Sequence, residues 1–171
     1  GSAKGILDSI TSEDIVTFTG SASTGKMLKA HPKITEESVP FNMEADSLNA
    51  AILGPDATPG TAEFDLFVKE VTKEITVKAG QKCTAVRRII VPENLLEDVQ
   101  IAIGKRLAST TIGDPAVEGV RMGSLAGLEQ LNDVKEKVKL LQSSQQLVFG
   151  NLNEMPLLNF LLASLETSTA D

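Results

Sequence analysis

The sequence predicts an α/β fold, and three observations predict it. A β-branched stretch from Ile15 to Thr19 runs into Gly20 and then into a helix-opening serine, the strand, turn and helix order of α/β nucleotide-binding folds. Strand candidates and amphipathic stretches alternate along the rest of the chain. At 42% hydrophobic residues, 171 residues are enough to bury an ordinary core of about one domain.

Each element has its own signal. Residues from Gly5 read as a short helix and a turn before the strand at Ile15 to Thr19. Ser21 opens a short helix through Leu28, which Pro32 is expected to stop. Ser38 to Phe41 is a second strand candidate and Ala50 to Leu53 a third, followed by a connecting loop from Gly54 to Gly60. From Thr61 to Lys78 the apolar Phe64, Phe67, Val68, Val71 and Ile75 recur every three or four residues, which predicts an amphipathic helix ended by Gly80. A buried strand is expected at Ile89 to Val91, cut off by Pro92. A helix over about Asn94 to Ser109 should turn Leu95, Val99, Ala102, Ile103 and Leu107 inward, before a turn at Gly113 to Pro115. The last helix, near Leu125 to Gln142, puts Leu128, Leu131, Val134, Val138 and Leu141 on one face.

Composition narrows the partners. The formal charge of −7 repels nucleic-acid phosphates and anionic lipid surfaces. With no Trp or Tyr, only Phe is left to stack on bases, so single-strand binding is disfavoured again. The longest apolar region, Leu157 to Leu165, is about half a membrane span and is broken by Asn159 and Ser164, so it reads as core or a docking face. Gly1 and Ser2 read as the scar of a cleaved tag, with no secretion signal after them. One cysteine builds neither a disulfide framework nor a cysteine-rich metal site; no metal is expected, and a reducing, cytoplasmic setting is.

Three places could carry chemistry. The turn Gly20-Ser-Ala-Ser-Thr-Gly25-Lys26-Met27 nearly matches the phosphate-loop pattern G-x-x-x-x-G-K-[ST], but Met27 stands where a magnesium-binding hydroxyl belongs. It also misses the G-x-G-x-x-G fingerprint, because Ala22 follows two after Gly20. What survives is a glycine turn with a hydroxyl at a helix N-terminus, which suits an anion or simply satisfies turn geometry. Cys83, alone in the chain, is either a small core hydrophobe or a reactive thiol; its neighbours Gly80, Gln81, Lys82 and Thr84 are small or polar and place it at an element boundary. A cysteine protease would need His31 as base, and that histidine sits in a charged segment expected to be exposed beside Lys26, Lys29 and Lys33. Glu44, flanked by Met43 and Ala45, stands where desolvation could make a carboxylate a usable base, or Glu44 and Asp46 simply cap the next element.

Taken in order, Phe18-Thr-Gly-Ser21 with Gly25, Met43-Glu-Ala45 and Gly80-Gln-Lys-Cys83 resemble the successive signatures of the aldehyde dehydrogenase superfamily. The segments Phe41-Asn-Met-Glu-Ala-Asp-Ser-Leu-Asn49, Ala79-Gly-Gln-Lys-Cys-Thr-Ala-Val-Arg-Arg-Ile-Ile-Val-Pro92 and Gly113-Asp-Pro-Ala116 are similar to a subgroup of it, the dehydrogenase domains of bifunctional phenylacetate-degradation proteins. Most of the family carries Leu-Gly-Gly after the glutamate; Ala45-Asp-Ser47 here follows the subgroup instead.

The resemblance, over about residues 3–150, implies an aldehyde dehydrogenase-like α/β fold. Residues 3–60 would be the C-terminal part of a Rossmann-type NAD(P)-binding domain, 61–150 the start of the catalytic domain, and 151–171 a tail unlike the family. It implies Cys83 as nucleophile, Glu44 as the base that activates water, and Gly20, Ser21, Thr24, Gly25 and Ala45 beside the cofactor, NAD or NADP. The backbone N–H of Cys83 would be one oxyanion donor. The expected substrate is a small aldehyde, a CoA-linked semialdehyde from aromatic ring opening, and the expected full-length assembly a homo-oligomer. The family's second oxyanion donor, its adenine-ribose lysine and its nicotinamide-ribose glutamate have no counterpart here, so the chain reads as an internal piece with poor cofactor affinity, expected to be inactive on its own, or as a catalytically inactive structural fragment.

Overall fold

The computed structural model describes residues 5–150 and the backbone of 162–164. The chain divides into two compact units, with the boundary after Ser47. Each holds a pair of parallel strands.

In the first unit a 3-10 turn at Ile6–Ser9 leads to strand β1, Val16–Gly20. Helix α1 follows at Ala22–Lys29, helix α2 at Pro32–Glu36 and strand β2 at Phe41–Ala45. Parallel strands cannot be joined by a tight turn, so the two helices form the crossover. The register runs from Val16 beside Phe41 to Gly20 beside Ala45. Leu7, Ile34 and Val39 are buried together, with Ile10, Val16, Leu28 and Phe41 packed against them.

Two expectations change here. Pro32 does not simply stop a helix but begins α2, because its fixed φ and missing N–H suit a first helical turn, and His31 caps it. The strand expected at Ser38 to Phe41 lies further on. Ser38 is left-handed, with φ 56°, and the Val39 N–H donates to Ile34 O at 3.1 Å. That is the left-handed C-terminal cap of α2. Strand β2 therefore starts at Phe41, and Glu44 lies inside it rather than after it.

The second unit repeats the plan. Strand β3, Ala50–Ile52, and strand β4, Arg88–Ile90, are parallel, with Ala50 beside Arg88. Helix α3, Ala62–Thr76, crosses between them, its N-terminus capped by the Thr61 hydroxyl, which accepts from the Phe64 N–H at 3.3 Å. Helix α4, Leu96–Ala108, then packs along α3. The core unites Phe64, Val68 and Val71 of α3 with Leu95, Val99, Ile103 and Leu107. This is the three- and four-residue spacing read in the sequence. Thr72 is buried with them, and its hydroxyl donates to Val68 O at 2.7 Å, so that hydroxyl is not stranded.

Elsewhere in this unit the pattern overpredicts burial. The strand expected to be buried at Ile89 to Val91 buries neither face fully, and Ile90 is 50% exposed. Helix α5, Leu128–Leu141, buries Leu131 and Val138 but leaves Leu128 70% and Leu141 43% exposed. Those two leucines are its first and last residues, where a helix projects beyond the surface its middle turns cover. Strand β5, Gln146–Phe149, pairs antiparallel with strand β6, Leu162–Ser164, a hairpin the sequence did not announce. The apolar region Leu157 to Leu165 otherwise lies outside the described residues. Among those residues no helix is long and apolar enough to cross a membrane.

Ile103 is fully buried at the α3–α4 contact. Ile103→Ala should lower unfolding free energy by about 2–5 kcal/mol in urea titration. Leu128→Ala should change it by no more than about 0.5 kcal/mol. Equal losses would contradict this placement of the core.

Candidate active site

The β1–α1 turn is built by small residues. Gly20 ends β1, and Ser21 caps α1: its Oγ accepts the Thr24 N–H at 3.2 Å and donates to Thr24 Oγ1 at 2.8 Å. Gly25 is buried, and a Cβ there would collide with the Met43 sulfur and crowd the Phe18 ring. Glycine is what lets α1 lie against β1 and β2. Residues 22–25 are helical, so they do not form the open loop that wraps a phosphate in phosphate-loop proteins; Met27 is 65% exposed. That alternative loses its geometry.

The turn gathers several of the expected residues. Gly20 and Ala45 are partners in the strand register, and Glu44 lies beside Thr19 at the same C-terminal edge, the end of a parallel pair where ligands bind. Met43 faces α1, so the alternation of a strand sends Glu44 to the opposite face. Glu44 is exposed, which corrects the expectation of a desolvated carboxylate.

Asp46 has a role that reading the sequence missed. It does not cap the next element: its Oδ1 accepts the N–H of Ala22, the first residue of α1, at 3.0 Å, and its own N–H donates to Gly20 O at 3.1 Å. A carboxylate therefore sits at the positive end of α1. His31 is half-buried rather than exposed, with Nδ1 accepting the Lys33 N–H at 3.3 Å and Nε2 3.3 Å from Asp8. It is held by α2, not offered to a cysteine.

Cys83 belongs to the second unit and is exposed. The Ala85 N–H donates to Lys82 O at 3.2 Å, so Cys83 and Thr84 are the two central residues of a tight turn, which explains why the thiol faces solvent. The approach to that turn is unusual. Lys78 and Ala79 have φ 54°, and Gly80 has φ 72°. Each non-glycine in that conformation stores about 1–2 kcal/mol. At Gly80 a Cβ would also lie 3.2 Å from Ile75 O.

Around the turn, polar side chains brace the loop. Gln81 Nε2 donates to Lys78 O at 3.1 Å and its Oε1 accepts the Ala126 N–H at 2.8 Å. Lys82 Nζ donates to Glu74 Oε1 of α3 at 3.0 Å; Oε2, itself buried and without a hydrogen bond of its own among the described residues, lies 2.7 Å from the same nitrogen. From β3, Asn49 donates its amide to Cys83 O at 2.5 Å and to Ala85 O at 3.2 Å.

The chain is similar to known proteins over most of its length. The model of the aldehyde dehydrogenase family matches residues 2–159. A 3,4-dehydroadipyl-CoA semialdehyde dehydrogenase of Aromatoleum evansii is 47% identical over 150 residues, 88% of this chain and 29% of that protein. A 1-pyrroline-5-carboxylate dehydrogenase of Oceanobacillus iheyensis is 27% identical over 79% of this chain and 26% of its own length. Among solved structures, betaine aldehyde dehydrogenase of Staphylococcus aureus in complex with NAD+ superposes with a TM-score of 0.70 at 23% identity, covering 78% of this chain and 25% of that one. A mutant of aldehyde dehydrogenase C of Pseudomonas syringae with NAD+ and octanal gives 0.71 at 24% identity, covering 81% and 27%. These likenesses establish the aldehyde dehydrogenase-like α/β fold, and the chain spans a little over a quarter of the length of the relatives it matches.

The Lys82–Glu74 pair supplies a test of the bracing. Both side chains are less than a third exposed, so Lys82→Met should destabilise the fold by about 1–3 kcal/mol, by leaving a mostly buried carboxylate alone. Adding Glu74→Gln should recover part of that loss. A double-mutant cycle with no coupling would show that the pair does not hold the loop.

Proposed function

The chain belongs to the aldehyde dehydrogenase family, and on that premise we propose that it contributes to NAD(P)-dependent oxidation of an aldehyde to the carboxylic acid, with Cys83 as nucleophile and Glu44 as base. The observation that carries the reading is the exposed Cys83 at the tip of a braced turn, within the motif Gly80-Gln-Lys-Cys83. The 47% identity to a CoA-semialdehyde dehydrogenase favours a CoA-linked semialdehyde from aromatic ring degradation as substrate. A lone exposed thiol suits a reducing compartment, and a cytoplasmic setting belongs to this reading. Exposed apolar side chains such as Ile52, Ile90 and Leu128 are surface that a homo-oligomer would cover.

In the reaction so assigned, the Cys83 thiolate adds to the aldehyde carbon and forms a thiohemiacetal, whose oxyanion the Cys83 N–H can receive. The nicotinamide dinucleotide supplies, when bound, the acceptor for the hydride that the carbon then loses. That loss leaves an acyl thioester on Cys83. Glu44 takes a proton from water, the resulting hydroxide opens the thioester, the acid departs and the Cys83 thiolate returns. Glu44 then passes its proton to solvent.

We assign the pyrophosphate of such a dinucleotide to the β1–α1 turn. Ser21 and Ser23 are exposed at the start of α1, Thr24 is fastened to Ser21, and the buried Gly25 keeps the helix close to the strands. Asp46 is the anion already there. An incoming pyrophosphate has to displace or share the Ala22 N–H with it, against like-charge repulsion.

Two measurements test this. In the full-length protein, with aldehyde and dinucleotide added, mass spectrometry of the Cys83 peptide should show an acyl adduct that accumulates in Glu44→Gln, whose steady turnover falls ~100-fold or more, and that is absent in Cys83→Ala. A Glu44→Gln protein that turns over like the parent would remove the base assignment. Asp46→Asn keeps an acceptor for Ala22 but removes the charge, so calorimetry should show dinucleotide affinity rising by about 3–10-fold at low salt and less at high salt. An unchanged affinity would place the pyrophosphate elsewhere.

A further inference from the structure

The exposed Cys83 turn is held from beneath by one side chain that the mechanism does not use. Asn49 lies half-buried beside the start of β3. Its main-chain oxygen accepts the N–H groups of Arg87 at 2.9 Å and Arg88 at 3.2 Å, at the end of the loop. Its side-chain amide donates to Cys83 O at 2.5 Å and Ala85 O at 3.2 Å, at the loop's beginning. Asn49 thus closes residues 83–88 into a ring fastened to a strand.

The chemistry of this clamp is specific. A side-chain amide offers two N–H donors in one plane, and here each meets a different carbonyl. Serine, aspartate or leucine cannot do the same. The two carbonyls bracket Thr84, so holding both fixes the backbone on the C-terminal side of Cys83. A carbonyl engaged by an amide cannot swing into the space beside the thiol, where its negative end would oppose the thiolate. Without the clamp, the exposed turn keeps more of its backbone freedom.

We propose that Asn49 is a positioning residue for Cys83, fixing the backbone of the nucleophile so that its sulfur is presented in one orientation. The proposal rests on Cys83 being the nucleophile. Asn49 itself touches neither substrate nor cofactor in this role.

The test reads the thiol directly, without turnover. The rate of iodoacetamide alkylation of Cys83 is followed against pH in the parent chain, in Asn49→Ala and in Asn49→Asp. Hydrogen exchange at the Arg87 and Arg88 amides, which bond the unchanged main-chain oxygen, reports that the β3–β4 junction persists. In Asn49→Ala the limiting rate should fall by about 3–10-fold. In Asn49→Asp a carboxylate replaces the donor beside Cys83 O, a negative charge disfavours the thiolate, and the whole profile should move to higher pH. The parent's Asn49 side-chain amide protons should exchange slowly, a measurement that needs no variant to fold. Superimposable alkylation profiles with only a lower melting temperature, or rapid exchange of those amide protons, would reduce Asn49 to a structural clamp. A parent Cys83 that reacts no faster than a free small-molecule thiol would instead defeat the nucleophile assignment itself.

Discussion

Two parallel strands cannot be joined by a tight turn, and that constraint organises both units. Each pair, β1 with β2 and β3 with β4, needs a helical crossover and a returning segment. The residues with chemical potential lie where the chain leaves a first strand or comes back for a second. Ser21 stands at the departure from β1 and Glu44 near the end of returning β2. Cys83 stands on the way back to β4. Because the crossover helices are amphipathic and bury one side, these ends are fixed to a packed core while staying open to solvent. Local rigidity and access, which usually compete, come from the same arrangement.

What the sequence makes legible follows the range of the forces involved. Helices α3 and α4 were readable because their burial repeats at the helical period, and each repeat reports the same core. Strand β2 was misplaced because Ser38 and Val39 look β-forming, yet they close the cap of α2, and a left-handed serine carries no sequence signature. Periodicity puts Leu128 and Leu141 of α5 on the face of Leu131 and Val138, but it sees direction and not whether a neighbour is there to be met. Pairing of β5 with β6 depends on partners distant in sequence, which no local pattern encodes.

The candidate site divides along the same line. Cys83 and Glu44 stood out through their motifs, and the Gly20 to Gly25 turn through its order of strand, glycine and helix. Asn49 and the true partner of Asp46 did not stand out, although both residues stand in the quoted motif. Their partners lie 34 and 24 residues away, at Cys83 and Ala22. A side chain that acts through a distant main-chain group becomes visible only when the fold has brought the two together. The available hint was chemical: an amide and a carboxylate between two strands, with no apolar face to explain them.

The Cys83 loop also concentrates backbone strain. Three successive residues, Lys78, Ala79 and Gly80, adopt left-handed backbone angles, and only the last is suited to them. Such strain persists only where surrounding contacts outweigh it. Here those contacts are the Lys82–Glu74 pair, the Gln81 bonds to Lys78 and Ala126, and the Asn49 amide. Together they turn the chain back sharply after α3 and set Cys83 at a tip instead of letting the helix run on and bury it. A lone cysteine is ordinarily a small apolar residue at home in a core. A strained approach, three polar braces and an exposed thiol amount to an outlay that packing alone does not require, and it is this local frustration, more than the cysteine's identity, that argues for chemistry at Cys83.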